Sequence, residues 1–313
     1  MARLIDSILG HDEVWRSLMN LVHKDHLPHA MAFTGTPGVG KRMMAWALAQ
    51  ALVCERDQKP CGQCPSCHRV ELHQSENVLL IEPEGTMIKL EAAEEILHFL
   101  SLQQIGAARM VIIDQAQLLN PQAGNALLKI VEEPPPNCYF VLITPEISQM
   151  LPTLRSRSQV LRFSPLKPDV LQQGEKLPSW MLRSSRGSFE NLQVFRDPEN
   201  TELRKTVLNF LTASFSGERT GLQDVLEASK EKESGSKVIR MLQQLLRDWV
   251  LVGEGELLHE DLRTELSQLP EWESRLKAEL LRYSFQMEMD FLGHIDRSLI
   301  FENFFYRVRP QVG

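Results

Sequence analysis

Two short stretches of this 313-residue chain place residues in patterns that do chemistry. Gly35-Thr36-Pro37-Gly38-Val39-Gly40-Lys41 matches G-x-x-x-x-G-K. Glycines at that spacing turn successive backbone N–H groups toward a phosphate, and a helix starting at Lys41 adds its N-terminal dipole. Lys41 is placed to reach the β- and γ-phosphates. The next residue is Arg42, where such a loop carries the hydroxyl that ligates magnesium. A guanidinium cannot ligate a cation and competes with one by its own charge. The plain alternative is a tight strand-to-helix turn that binds nothing.

A second departure lies further along. The apolar run in "MVIIDQAQLL" ends on Asp114, a carboxylate able to hold magnesium through water. Gln115 follows it, where ATPases of this type carry a glutamate. Glutamine cannot take a proton from an attacking water. The expectation is a pocket that can accept ATP or ADP but does not turn ATP over.

The other stretch, "CERDQKPCGQCPSC", sets Cys54, Cys61, Cys64 and Cys67 within 14 residues, as C-x6-C-x2-C-x2-C. Four thiolates at this spacing fit a closed tetrahedral structural zinc. No coordination position is then left for a substrate, so the ion folds an insertion rather than doing chemistry. Unliganded thiols and an iron–sulfur cluster are the weaker alternatives. Cys138 opens a predicted strand and reads as core.

The elements that position these residues follow from periodicity. "AMAF" (30–33), "VLLI" (78–81), "MVIID" (110–114) and "YFVLIT" (139–144) read as buried strands. Between them, "RMMAWALAQALVC", "LEAAEEILHFLSL" and "NPQAGNALLKIVEE" have helical spacing. Strands alternating with helices predict a doubly wound parallel α/β sheet. Residues 164–198 are rich in Pro, Gly and Ser and read as a small helical segment with linkers. From Glu199 the strand signal is gone. "TELRKTVLNFLTASF", "KVIRMLQQLLRDWVLV", "WESRLKAELLRYSFQMEMDFL" and "DRSLIFENFFYRV" are amphipathic helices, and "SKEKESGSK" reads as a solvated connector. In the last helix Leu299, Ile300, Phe301, Phe304, Phe305 and Val308 span a broad arc and predict burial on several sides. Trp249 and Trp272 read as core anchors. The expected division is 1–165 for the sheet domain, 166–198 for a small helical lid and 199–313 for an all-α domain.

Composition narrows the function class. A net charge of −7 argues against a free-standing nucleic-acid binder, which carries a positive excess. The opening residues "MARLIDSILGHDEVW" lack the apolar core of a signal peptide, and no apolar run approaches about 18 residues. The expectation is a cytoplasmic protein, away from membranes, whose clustered thiols stay reduced.

Several motifs then line up in order. "LPHAMAFTGTPGVGK", the four-cysteine insertion, "NALLKIVEEPPPNCYFVLIT" and "LPTLRSRSQVLRF" resemble those of bacterial DNA polymerase III clamp-loader subunits, from Ile8 to Phe163 strongly and through the C-terminal helices loosely. These are AAA+ P-loop proteins with a zinc module after the phosphate loop, a helical lid that is usually longer than the short one available here, and a C-terminal collar that joins five subunits. The resemblance implies a role in DNA replication within the DNA polymerase III holoenzyme. Implied partners are gamma/tau-like ATPase subunits and a delta-like subunit in a hetero-pentameric ring. Primer–template DNA passes through that ring, and the sliding clamp is touched weakly.

Within the family, gamma/tau subunits are working ATPases with an intact G-x-x-x-x-G-K-[ST] and an Asp-Glu pair. Arg42 and Gln115 match instead the stationary, non-hydrolysing subunit type. "SSRGSFENLQVF" resembles the second-sensor helix, but Glu190 stands where active members carry arginine, and its carboxylate repels a γ-phosphate. Thr144 matches the first sensor. Little more than 168–182 is available for the lid. Arg157, in "TLRSRSQVL", matches the arginine finger that acts in trans on a neighbour's ATP, although Ser158 replaces the motif's cysteine. The alternative for Arg157 is a local ion pair, and Arg155 is the poorer finger candidate. Two other functions stay open: an active gamma/tau-type ATPase that tolerates Arg42, and a zinc-containing nucleic-acid-binding module.

Overall fold

The apolar runs become β1 (Ala30–Gly35), β2 (Val78–Ile81), β3 (Arg109–Ile113) and β4 (Cys138–Thr144). A fifth strand, β5 (Gln159–Phe163), joins them, giving the order β2-β3-β4-β1-β5 with every pair parallel. Residues of β3 and β4 are buried throughout, as expected of central strands covered on both faces. β5 is an edge strand with exposed Gln159 and Arg162, and this mixed pattern is why periodicity did not single it out. The computed structural model describes residues 2–103, 106–293 and 295–308. The last residues of the expected all-α domain, 309–313, lie outside them.

Helices of the first half are α1 (Asp12–His23), α2 (Lys41–Val53), α3 (Pro65–Glu71), α4 (Leu90–Ser101), α5 (Pro121–Glu132), α6 (Pro152–Arg155) and α7 (Pro168–Gln172). α2 is buried almost all round, which its uniformly apolar "MMAWALAQALV" requires. α5 starts at Asn120, whose side chain accepts the Ala123 amide at 2.7 Å, with Pro121 at the first helical position. Ile96, Leu100, Leu127 and Val131 from α4 and α5 pack on Val111, Ile113, Phe140 and Leu142 of the sheet.

The second half holds α8 (Ser179–Ser185), α9 (Phe189–Arg196), α10 (Pro198–Ser216), α11 (Leu222–Ala228), α12 (Lys232–Leu251), α13 (Arg263–Ser267), α14 (Ser274–Leu292) and α15 (Arg297–Val308). The chain divides into two compact units: Met1–Gly174 with Gly187–Glu190, and Glu175–Arg186 with Asn191–Gly313. The segment expected to form a lid, 166–198, is shared between them.

Two sequence expectations need correction. The connector "SKEKESGSK" is mostly helix, because α12 begins at Lys232. Gly235 permits this: a Cβ there would lie 2.0 Å from the Phe291 ring of α14, so a bare backbone is what lets the two helices meet. In α15, Ile300, Phe301, Phe304, Phe305 and Val308 are buried, but Leu299 is 52% exposed. Trp249 is in the core, with Trp272 packed edge-on at 5.6 Å.

The helical unit also buries a polar knot. Asp248 of α12 is fully enclosed and accepts the amides of Leu258 at 2.9 Å and His259 at 2.6 Å, together with Nη1 of Arg247 at 2.7 Å. His259 Nε2 donates to Gln244 Oε1 at 3.1 Å, while its Nδ1 is buried without a partner among the described residues. Burial first, then the positive charges of Arg204 and Arg247, push the His259 pKa down to about 3.

That sets a sign for acid stability. The unfolded histidine takes up a proton near pH 6.5 that the folded one refuses until about pH 3. Stability is therefore full above pH 6.5 and declines as the pH falls through the window between the two values, at up to about 1.4 kcal/mol per pH unit. The urea midpoint should be lower at pH 4.5 than at pH 7, and His259→Gln should flatten that fall. An identical pH slope in the variant would remove His259 as its cause.

Candidate nucleotide pocket and metal centre

The phosphate loop is built by backbone demands at its glycines. A Cβ on Gly35 would lie 2.2 Å from the Phe163 carbonyl of β5, and Gly40 caps α2 at φ +101°. Gly38, at φ +73°, has Ser188 Oγ and Glu190 Cβ 2.3 and 2.6 Å from where its Cβ would stand. The Gly38 carbonyl accepts the Phe189 amide at 2.9 Å, so residues 187–190 strap the loop. Around it lies a cavity of about 660 Å3, within the usual range for small-molecule sites. Thr144, Asp114, Gln115 and Glu190 line it with the loop, and Ser7–Leu9 form part of the wall.

Lys41 is buried, and its ammonium donates to the Gly35 and Thr36 carbonyls at 2.6 and 2.9 Å. Burial lowers its pKa against the pull of Asp114 and Glu190. Arg42 turns into the same wall, donating to Glu82 at 2.5 Å and to Asp114 at 3.4 Å. The register that pairs Ile81 with Ile113 sets those two carboxylates on adjacent strand ends. Glu82 escaped the sequence reading, although a carboxylate directly after "VLLI" was its signal. Asp114 thus faces a guanidinium, and its other oxygen accepts the Gln115 amide at 2.9 Å. The Thr144 hydroxyl donates to the Glu146 carbonyl at 2.9 Å. Loop, lysine, Asp114, Thr144 and Glu190 all meet at one cavity.

Arg157 stands apart, just past α6. It is exposed and paired with Glu132 at the end of α5, and it donates to the Thr153 carbonyl at 3.0 Å. This is the local ion pair that the sequence left open.

The four cysteines converge. Cys54 caps the end of α2, Cys64 caps α3 and Cys67 lies in its first turn. Their sulfurs lie within 4.8 Å of one another, with Cys61 and Cys67 3.9 Å apart. A tetrahedral ion with metal–sulfur bonds of about 2.3 Å sets edges of about 3.8 Å. Backbone amides of Cys61, Gln63, Cys64 and Cys67 donate to these sulfurs at 3.3–3.4 Å, as thiolates favour. Burial raises the Cys61 pKa, but the Gln63 and Cys64 amides with neighbouring sulfurs outweigh it and bring it to about 6. Burial pushes Cys67 up. The cluster fits a closed four-sulfur metal site.

Comparison with known proteins supplies the family. Residues 10–167 match the family described as DNA polymerase III, delta subunit. The chain belongs to that family. DNA polymerase III subunit delta' of Bacillus subtilis is 29% identical over 275 residues, covering 82% of each chain. Subunit delta' of Haemophilus influenzae is 34% identical over 169 residues, 53% of this chain and 49% of that protein. Its tau/gamma subunit is 28% identical over 281 residues, 86% of this chain but only 38% of that longer protein. A DNA polymerase III gamma subunit-related protein of Thermotoga maritima superposes with a TM-score of 0.52 at 16% identity, covering 93% of this chain and 98% of that one, so the AAA+ fold is shared. No helix among the described residues of this DNA polymerase III family member is long and apolar enough to cross a membrane.

The pocket geometry is open to a direct test. Arg42→Ser leaves Glu82 and Asp114 facing each other without their cation, so Mn2+ affinity read by electron paramagnetic resonance should rise about tenfold or more, an effect of roughly 1.4 kcal/mol. Unaltered Mn2+ binding would show that the arginine is not what excludes a cation.

Proposed function

We propose that this chain is a non-hydrolysing subunit of a sliding-clamp loader, which completes a neighbour's ATP site through Arg157 and helps hold the ring together. The observation that carries the reading is the Arg42 guanidinium, set between Glu82 and Asp114 where a working site holds magnesium. Gln115 supplies no base, and Glu190 adds a carboxylate to the cavity wall. ATP or ADP can enter such a pocket as a structural ligand, but the chain's own residues provide neither a metal anchor nor a proton acceptor.

The pairing of Arg157 with Glu132 is compatible with action in trans. Both side chains are exposed, and exposed pairs are worth about 0–1 kcal/mol. A neighbour's triphosphate, with several charges in a drier interface, outcompetes one solvated carboxylate. There the planar guanidinium stabilises charge developing on the transferred phosphoryl group. Assembly through the helical unit is supported by the exposed face of α14, where Phe285, Met289 and Leu292 recur at i, i+4 and i+7. The partners on this reading are gamma/tau-like ATPases and a delta-like subunit, with primer–template DNA inside the ring and the clamp below it. The ion at the cysteine cluster is zinc, held by Cys54, Cys61, Cys64 and Cys67 in a structural role.

Purified alone, the chain should not turn over magnesium-ATP, and brisk hydrolysis would instead favour a gamma/tau-type ATPase. In the reconstituted loader, Arg157→Ala should leave assembly intact while the completed site loses about 10³-fold in rate. Undiminished DNA-stimulated ATPase would remove the finger. Metal analysis after dialysis should find one zinc per chain, and chelation should lower the melting temperature. A fully folded, metal-free protein contradicts the zinc assignment.

A further inference from the structure

Gln50, on the last turns of α2, is a fully buried amide in an otherwise apolar helix and belongs to neither the phosphate loop nor the cysteine set. All its principal groups are used. Its Oε1 accepts the Leu4 amide at 2.9 Å, and its Nε2 donates to the carbonyls of Ala2 and Cys67, each at 3.1 Å. One side chain thus holds the N-terminal strap with two bonds and the cysteine module with a third. The strap is gripped from two more sides. The Ala2 amide donates to Glu71 of α3 at 3.1 Å, and a Cβ on Gly62, between Cys61 and Cys64, would lie 2.9 Å from the Arg3 amide.

The strap then runs to the nucleotide pocket. Ser7, Ile8 and Leu9 line the cavity, and Ile8 packs beside Gly40 of the loop. His11 closes the far end, with Nε2 3.0 Å from the Val39 carbonyl. One continuous run of about ten residues is therefore anchored at the cysteine cluster and ends as a wall of the pocket.

We infer that Gln50 is a positioning residue through which metal occupancy of the cysteine cluster sets the order of the pocket wall at Ser7–Leu9. This rests on the reading of the cluster as a metal site. An ion fixes Cys67 and the Cys61–Cys64 turn, which fixes the Cys67 carbonyl and Gly62 against which the strap is held. Without the ion these anchors loosen, and the wall loosens with them. Coupling of this kind is reciprocal, so loosening the strap weakens retention of the ion. Groups that support metal ligands from behind commonly tune affinity by 10–100-fold.

The test uses the full zinc-loaded chain and amide hydrogen exchange. Stripping zinc with a chelator should raise exchange at residues 4–11 by at least about tenfold, while β1 and β4 amides stay protected. Gln50→Met, similar in volume but without the amide, should loosen the same segment with zinc still present and should speed zinc loss to a chelator. Leu48→Ala, a core truncation on the same helix, should lower the melting temperature without singling out the strap. The inference is overturned if neither stripping nor Gln50→Met changes strap exchange relative to β1, or if Leu48→Ala reproduces the selective loosening. The stripping arm needs no substitution, so it decides even where Gln50→Met does not fold. A chain that carries no zinc on purification removes the metal reading instead, and Gln50→Met alone then decides whether the amide pins the wall.

Discussion

Arg42 is the constraint around which the pocket is arranged. Two parallel strands, β2 and β3, end side by side and deliver Glu82 and Asp114 to the Arg42 guanidinium. Two neighbouring carboxylates need a cation, and a nucleotide site ordinarily obtains it as magnesium brought by the nucleotide. Here the cation is covalently part of the chain, two residues beyond the loop's last glycine. It neutralises the strand ends without a ligand, so the pocket stays electrostatically settled when empty. A diffusing metal can be recruited by a triphosphate and aligned with it, whereas a tethered guanidinium cannot serve both. On the proposed reading, that single exchange of a hydroxyl for a guanidinium turns a catalytic site into a structural one and leaves the subunit's chemistry to a side chain facing outward.

The rest of the pocket is consistent with that exchange. Lys41 spends its protons on the carbonyls of its own loop, Thr144 spends its hydroxyl on Glu146, and Gly38 is bonded to residue 189. The Lys41 ammonium and the Thr144 hydroxyl, two donors a phosphate would recruit, already have partners within the unit. Buried polar groups left unpaired cost about 1–3 kcal/mol each, so this internal satisfaction is itself stabilising. A phosphate must displace these bonds before it gains either donor. The helical unit solves a comparable problem differently: Asp248 and His259 sit in a core of Trp, Phe and Leu because the chain between α12 and α13 needs buried anchors for its amides.

Much of this architecture was legible because strong, local signals placed it. Four strands, the intervening helices and the cysteine spacing each follow from period, cap or motif, although β2, expected to be buried, is a partly buried edge strand. What escaped was non-local. β5 mixes exposed, half-buried and buried residues without alternation at a sheet edge, so its pairing with β1 cannot be read from its own composition. Glu82 matters only through the register of β2 with β3. Glu132 lies 25 residues before Arg157 and meets it only through the turn of α6. Gly235 looked like part of a solvated linker because a glycine between charges carries no mark of the ring that lies against it. Nothing in the sequence around Gln50 marks the strap that covers it.

The loop's glycines illustrate why a motif should not be equated with a ligand. Each answers to a neighbour inside the protein: Gly35 to the Phe163 carbonyl, Gly38 to Ser188 and Glu190, Gly40 to a left-handed backbone at the start of α2. A strand entering a buried helix beside a covering strap demands that pattern whether or not a phosphate is ever bound. The fold alone therefore accounts for G-x-x-x-x-G, and the diagnostic information sits in the cavity-lining residues at positions 42, 115 and 190. On the proposed reading, all three depart from a working ATPase site in separate ways: a misplaced positive charge, a missing base and an added negative charge. Because the three positions lie in different elements of the chain, restoring any one of them on that reading leaves the other two in place.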